Sequence, residues 1–88
     1  MSRCVGISQH VSWYERGSSI VVLDELEGRR IELNQTAAFL WLELEASSAE
    51  DALVSALVRE FEVDPEVARR DVGHWVKSMI DEGLVMFL

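Results

Sequence analysis

The chain has 88 residues, of which 49% are hydrophobic and 27% are charged, so its composition is that of one folded domain rather than of a disordered segment. Sixteen carboxylates against eight Lys and Arg residues give a net charge of −8, which opposes binding to nucleic acid or to an anionic membrane surface. The single Cys4, the lack of a signal peptide and the lack of any run near the ~20 apolar residues of a membrane span predict a cytoplasmic protein.

Three strands are predicted in the first third of the chain, after an N-terminal arm. Residues 1–9 show no period and are predicted to be a flexible arm, which leaves a single domain over 10–88. HVSWYE alternates in polarity, SSIVVLDEL is apolar almost throughout, as is typical of a central strand, and RRIELN places Ile31 and Leu33 on one face. Because the connections are short and contain glycine, we expect an antiparallel meander.

Three helices are predicted after the meander, because the hydrophobic period changes from two to about 3.6. The predicted N-terminal signals are Asn34 for the first helix, a capping box of Ser47 with Glu50 for the second, and Asp64 followed by Pro65 for the third. The third helix is expected to end near Glu82, before Gly83, and LVMFL forms an apolar tail. The predicted order is βββααα, an α+β fold.

The phrases VVLDELEG, LNQTAAFLW and DEGLV carry a family resemblance that covers roughly residues 10–86. The chain resembles the PqqD-like family, the RiPP recognition elements, and within it the stand-alone leader-binding proteins of lasso-peptide biosynthesis. The resemblance implies a winged-helix-like domain with a three-stranded antiparallel sheet followed by three helices. It also implies a non-catalytic adaptor that binds the leader segment of a ribosomally made precursor peptide. The implied partners are that leader, a separate leader peptidase of the transglutaminase-like cysteine protease class and a macrocyclase.

The resemblance also implies where the leader binds. It would add as a strand to the edge 29–34, in a groove beside the third helix. The residues implied are Arg29, Arg30, Ile31, Glu32 and Leu33 of the strand and Val67, Arg70, Asp71, His74 and Trp75 of the helix. The opposite border of that helix (Arg69, Gly73, Ile80) is the alternative wall. A proline at Ile31 is expected to remove an amide from this edge.

Several of these residues also have ordinary structural interpretations. Trp41 is predicted to be core rather than contact surface, whereas Trp75 and Val67 fit either core packing or a groove wall. Arg29 and Arg30 fit a solvated strand edge as well as a recognition pair.

Other functions find weaker support in the sequence. Cys4, His10 and His74 lack metal-ligand spacing, no nucleophile has an evident base, and no glycine-rich phosphate loop occurs, so no enzyme activity, metal or cofactor is predicted. A PqqD-type chaperone for a radical SAM enzyme is an alternative within the family. A winged-helix DNA-binding regulator is a second alternative, although carboxylates offset the basic residues of the third helix.

Overall fold

The computed structural model describes residues 3–88 and contains two antiparallel sheets and three helices over that range. The elements are β1 (Val5–Ile7), β2 (Val11–Arg16), β3 (Ser19–Asp24), β4 (Arg29–Leu33), α1 (Gln35–Ala46), α2 (Glu50–Phe61), α3 (Pro65–Asp81) and β5 (Val85–Phe87). The predicted α+β class is confirmed, with a sheet of order β2-β3-β4 and three helices. The winged-helix-like arrangement stays a prediction.

The three-stranded sheet forms because β3 is apolar on both faces while its neighbours are apolar on one. In the middle of the sheet Trp13 pairs with Val22, and Val22 pairs with Ile31. These side chains share the face that packs against the helices. On β3, Val21 and Val22 have no exposed surface although they point to opposite faces. The sequence prediction of a central strand is therefore confirmed.

The helix ends follow the predicted signals at α1 and α3. The Asn34 side chain accepts a hydrogen bond of 2.9 Å from the Ala37 amide, and the Asp64 side chain accepts one of 2.8 Å from the Glu66 amide. Past the end of α3, Gly83 adopts a φ of 79°, which glycine tolerates best. The abrupt change from β4 to α1 thus rests on a cap that the sequence supplies at the junction.

The predicted capping box of α2 was wrong. Ser47 is the C-cap of α1, and α2 begins at Glu50 without a side-chain cap. Instead, the Glu50 amide donates to the Arg3 carbonyl at 2.9 Å, while the Glu50 carboxylate accepts from Arg3 Nε at 2.8 Å. The N-terminal segment therefore supplies the acceptor that the capping box was expected to supply.

The prediction of an arm without regular structure over residues 1–9 was wrong at its centre, where β1 pairs antiparallel with β5. Val5 has no exposed surface and belongs to the hydrophobic core. A strand of three residues is too short to show a period, and its partner lies at the far end of the chain, so the local pattern does not reveal it. Residues 1 and 2 of the predicted arm lie outside the described part of the chain.

The core joins both sheets to all three helices. Trp41, Leu53 and Leu84 have no exposed surface and lie in one cluster with Val5. The interpretation of Trp41 as a core residue is confirmed. No helix of residues 3–88 combines the length and the apolarity that crossing a bilayer requires.

Gly73 lies in α3, where glycine costs about 1 kcal/mol of helix stability relative to alanine. Apart from its chain neighbours and the adjacent backbone of α3, no atom of residues 3–88 lies within 4 Å of the position that its Cβ would take. Packing within the described residues therefore does not explain why this position is glycine.

Arg29 joins the sheet to the end of α3. Its guanidinium donates to Asp24 Oδ2 at 2.9 Å, to the Glu82 carboxylate and to the Glu82 carbonyl at 2.6 Å. Asp24 is only 2% exposed, and its Oδ1 accepts from the amides of residues 26 and 27 at 3.1 and 3.2 Å. We call Asp24, Arg29 and Glu82 the Arg29 clamp. It connects the start of β4 to the C-terminus of α3.

We predict that Val5→Ala lowers the free energy of unfolding by about 2 kcal/mol, because buried methyl groups are lost and a cavity remains. Urea denaturation followed by circular dichroism measures this change. Cys4→Ala, at the exposed neighbouring position, is the control and leaves the unfolding midpoint unchanged. Equal midpoints for the two variants would mean that β1 does not contribute to the core.

We predict that Asp24→Asn changes the pH dependence of thermal stability. Hydrogen bonds from Arg29 hold the pKa of Asp24 below its ordinary value of 3.8, against the opposing effect of burial. As the pH falls, Asp24 therefore takes up a proton in the unfolded chain before it does so in the folded chain. Its contribution to stability is complete above about pH 3.8 and is lost as the pH falls through the lower pKa of the folded chain.

The difference in Tm between the wild type and Asp24→Asn therefore narrows in acid. Thermal melts between neutral pH and strong acid measure it, with Glu45→Gln on an exposed carboxylate of α1 as the control. A difference that stays the same at every pH would show that the Arg29 clamp does not depend on ionised Asp24.

Candidate functional site

The register of the sheet determines which backbone groups of β3 face each neighbour. Arg16 and Ser19 flank a two-residue turn and are paired, so they form a hydrogen-bonded pair. Alternation then directs the main-chain groups of residues 19, 21 and 23 to β2, and those of residues 20, 22 and 24 to β4. Two bonds agree with this assignment: the Glu25 amide donates to His10 O at 3.0 Å, and the Gly28 amide donates to Asp24 O at 2.8 Å.

The same alternation identifies the free edge of β4. Residues 29, 31 and 33 lie opposite residues 24, 22 and 20, and direct their amides and carbonyls to β3. Arg30 and Glu32 therefore direct their main-chain groups away from the sheet, and within residues 3–88 β4 pairs with β3 alone. The expectation about a proline at Ile31 was wrong, because the Ile31 amide belongs to the internal ladder. The amide of Glu32 is the one to remove.

The side chains of Arg30 and Glu32 lie on the outer face of the sheet. Arg30 Nη2 donates to the Tyr14 hydroxyl at 3.4 Å, and the Ser19 hydroxyl donates to Glu32 Oε2 at 3.3 Å. The contact with Tyr14 raises the pKa of Arg30 above its already high ordinary value, so Arg30 is a cation at neutral pH. Both side chains are exposed, and the free edge carries one positive and one negative charge.

α3 approaches the chain at both ends of β4, and a cleft opens at each of these two places. At the end of β4 a cleft of about 300 Å³ is lined by Asn34, Thr36, Ala37, Leu40, Leu57, Asp71, His74 and Trp75. At the start of β4 a cleft of about 360 Å³ is lined by Glu27, Arg29, Asp81, Glu82 and Gly83. The helix border with Asp71, His74 and Trp75 therefore faces the β4–α1 junction. We call the first of these clefts the junction cleft.

The opposite border of α3 faces elsewhere. Gly73 and Ile80 line a separate cleft together with Arg3 and Phe87, on the side of β1 and β5. Of the two borders that the sequence left open as groove walls, the one with Asp71, His74 and Trp75 lies beside the β4–α1 junction.

The structure brings some of the predicted site residues together and separates others. Asp71 and His74 are exposed in the junction cleft, and Trp75 is half-buried, so it both packs against the core and lines the cleft. Val67 and Arg70 belong to the same helix but lie outside the lining of the junction cleft. Val67 is half-buried, and Arg70 is exposed with its Nε 3.9 Å from Asp71 Oδ1.

The predicted strand residues divide by face. Ile31 and Leu33 direct their side chains toward the core, where Leu33 is buried and Ile31 is half-buried. Arg29 lies at the start of the edge, but its side chain is engaged in the Arg29 clamp. Arg30 and Glu32 are the two residues of the strand that have both an exposed side chain and outward main-chain groups.

Sequence reasoning missed the part of the junction cleft that α1 and α2 supply. Thr36, Ala37 and Leu40 come from the first turns of α1, and Leu57 comes from α2. A small residue in a first helical turn that directly follows an edge strand was the available signal, since it leaves room beside the strand.

The free edge of β4 and the clefts near its two ends together form a groove that offers surfaces for binding. This groove combines free main-chain amides and carbonyls, apolar walls and a few charged side chains. Within the described range 3–88, no three His, Cys, Asp or Glu side chains come close enough to hold a metal ion. Cys4 is exposed at the other sheet.

Comparison with known proteins identifies the family. The family model for coenzyme PQQ synthesis protein D (PqqD) matches residues 19–85. No curated protein matches the sequence.

Two solved structures share the fold. One is described as TbiB1 in complex with the TbiA(beta) leader peptide: it is 22% identical with a TM-score of 0.87, and the match covers 91% of this chain and 93% of that one. The other is described as lasso peptide synthetase B1 complexed with the leader peptide: it is 26% identical with a TM-score of 0.84, and the match covers 93% of this chain and 96% of that one. Because the family model spans well over half of its residues, the chain belongs to the PqqD family, and its resemblance to the PqqD-like RiPP recognition elements is confirmed.

Proposed function

We propose that this protein is a non-catalytic adaptor of lasso-peptide maturation. It binds the leader of a precursor peptide as an added strand on β4 and delivers it to a separate leader peptidase, after which a macrocyclase acts. Two structural neighbours that are similar over almost their whole length are described as leader-peptide complexes, and one of them is a lasso peptide synthetase B1.

The free edge of β4 is the observation that carries this proposal. The outward amides and carbonyls of Arg30 and Glu32 offer hydrogen bonds to an extended peptide, and such bonds supply affinity without requiring a particular sequence. An edge strand of five residues with charged side chains at those two positions limits pairing with other chains.

The two ends of the groove give the added strand its register. At one end the junction cleft, of about 300 Å³, has an apolar floor from Leu40 and Leu57 and suits a side chain of the leader. At its mouth Asp71 and His74 are exposed and available for polar contacts. At the other end the Arg29 clamp ties α3 to the start of β4. Arg29 thus acts as a positioning residue rather than as a direct contact.

Charge favours a leader with basic character at the helix wall. Asp71 lies in the junction cleft and the exposed Glu27 lines the cleft at the far end, where Asp81 and Glu82 are already paired with Lys77 and Arg29. The chain as a whole carries a net charge of −8. Lys or Arg residues of a leader would therefore meet an attractive field during association.

The family assignment supports a second candidate function. The matching family model is described as a protein of coenzyme PQQ synthesis, so the same edge can present a peptide to a radical SAM enzyme. The two functions share the peptide site and differ in the enzyme partner. Co-purification with a transglutaminase-like peptidase supports the lasso function, and co-purification with a radical SAM enzyme supports the second.

We predict that Glu32→Pro lowers leader affinity by at least tenfold. Proline removes the outward amide of Glu32 but leaves the ladder between β3 and β4 intact. Fluorescence anisotropy with a labelled leader peptide measures the Kd, and circular dichroism confirms folding.

Glu15→Pro is the matched control for this experiment. Glu15 is exposed on β2, the other edge of the same sheet, and the same alternation directs its amide outward. We expect its leader affinity to equal that of the wild type. Equal losses of leader affinity in Glu32→Pro and Glu15→Pro would show that β4 is not the specific binding edge. Wild-type leader affinity in Glu32→Pro would show that the leader binds elsewhere.

We predict that His74→Ala weakens leader binding about 3- to 30-fold, because a polar contact at the mouth of the junction cleft is lost. Arg69→Ala is the control on the alternative border of α3, where Arg69 pairs at the surface with Glu66 at 3.0 Å. Leader titrations at two salt concentrations separate the loss of a local contact from the effect of the positive charge that Arg69→Ala removes, because salt screens the latter. A larger loss for Arg69→Ala would assign the groove to the opposite border.

A further inference from the structure

The free edge of β4 determines which face of the sheet each residue of an added strand occupies. Because Arg30 and Glu32 direct their main-chain groups outward, an antiparallel strand forms hydrogen-bonded pairs with these two residues. Directly opposite residues of such a pair lie about 5.5 Å apart at Cα and direct their side chains to the same face. The strand residues opposite Arg30 and Glu32 therefore lie on the outer face of the sheet. The residue between them, opposite Ile31, lies on the helix side.

Arg30 and Glu32 are the outer-face side chains of β4. Across the sheet, Arg30 pairs with Leu23 and Glu32 pairs with Val21. Both charged side chains are exposed, whereas Val21 has no exposed surface. A strand added to β4 thus meets, on its outer side, one positive and one negative charge that are two residues apart.

These two charges have only weak partners. No salt bridge within residues 3–88 includes Arg30 or Glu32. The contact of Arg30 with the Tyr14 hydroxyl is long, at 3.4 Å. The Ser19 hydroxyl has one proton to share between the Glu32 carboxylate at 3.3 Å and the Arg16 carbonyl at 3.0 Å. Both charged side chains can therefore turn to a new partner at little cost.

Arg30 differs in this respect from the arginine beside it. The guanidinium of Arg29 is held by the carboxylates of Asp24 and Glu82, whereas Arg30 contacts a hydroxyl. Carboxylates outnumber Lys and Arg in the chain by 16 to 8, and the net charge of −8 repels an acidic peptide as a whole. Arg30 therefore favours an acidic residue at one position of a bound strand.

Two opposite charges at this spacing select one direction and one register of the added strand. Opposite charges directly across a strand pair are favourable, and like charges are unfavourable. A basic residue opposite Glu32 together with an acidic residue opposite Arg30 satisfies both. Reversing the strand to the parallel direction, or sliding it by two residues, brings like charges together. A slip of one residue moves both charges of the added strand to the helix side.

We propose that β4 selects a leader containing a basic residue, any residue and an acidic residue, in that order from the N-terminus. The basic residue lies opposite Glu32 and the acidic residue opposite Arg30. This order follows because an antiparallel strand passes position 32 of β4 before position 30. The inference rests on the proposed function and specifies the leader that it takes. Main-chain hydrogen bonds supply affinity, and the two ion pairs supply part of the specificity.

The test exchanges charges between the protein and the leader. The probe is the labelled leader of the precursor encoded beside this protein, with variants in which single acidic residues are replaced by lysine and single basic residues by glutamate. Fluorescence anisotropy measures the Kd of each peptide for the wild type, Arg30→Glu and Glu32→Lys. Arg16→Glu is the matched control, because Arg16 is exposed on β2 at the other edge and its reversal changes the net charge equally.

We expect Arg30→Glu to bind the unchanged leader about 3- to 10-fold more weakly than Arg16→Glu does. One acidic-to-lysine leader restores its Kd to within twofold of the wild-type pair, which also shows that the variant is folded. Glu32→Lys is restored in the same way by the leader with glutamate two residues before that acidic position, and by no other.

Three results would contradict these expectations. A leader that binds the wild type but lacks the triplet, or a failure of both exchanges, would overturn this inference and leave the proposed function intact. Restoration with the acidic residue first would overturn it as well, because the strand would then be parallel. A wild-type protein that binds no leader would contradict the proposed function itself, and this inference with it.

Discussion

The Arg29 clamp is the interaction on which the groove between β4 and α3 depends. A strand edge beside a helix makes a groove only if the helix is held at a set distance, and α3 has few other contacts with β4. Arg29 supplies this link, because its guanidinium donates to the nearly buried carboxylate of Asp24 on one side and to the carboxylate and carbonyl of Glu82 on the other. Because Asp24 also accepts two amides of the turn before β4, the same carboxylate organises the turn, the strand and the helix terminus.

α3 contributes to two separate clefts. Its buried face, with Ala68, Val72 and Val76, packs in the core, and this leaves two borders that face different sheets. The border with Asp71, His74 and Trp75 lines the junction cleft, and the border with Gly73 and Ile80 lines a separate cleft together with Arg3 and Phe87.

The sequence predicted the elements whose signals are local. The meander, the caps at Asn34 and Asp64 and the core position of Trp41 follow from residues near one another in the chain. β1 and the start of α2 could not be predicted in this way, because Arg3 and Val5 meet partners more than forty residues away. The site was predicted in part. The strand and one helix border were identified, but the floor of the junction cleft comes from Leu40 and Leu57, whose apolar character alone predicts only core.

The sequence did not predict which main-chain amides and carbonyls of β4 point away from the sheet. Alternation of side chains shows which residues face the core, but it leaves open which amides face a neighbouring strand. The two-residue turn after Arg16 decides this, because a turn of that length forces its flanking residues into a hydrogen-bonded pair. Because the same alternation of main-chain direction continues across β3 to β4, the amides of Arg30 and Glu32 point away from the sheet. A turn on the far side of the sheet thereby selects the residues that can receive a peptide.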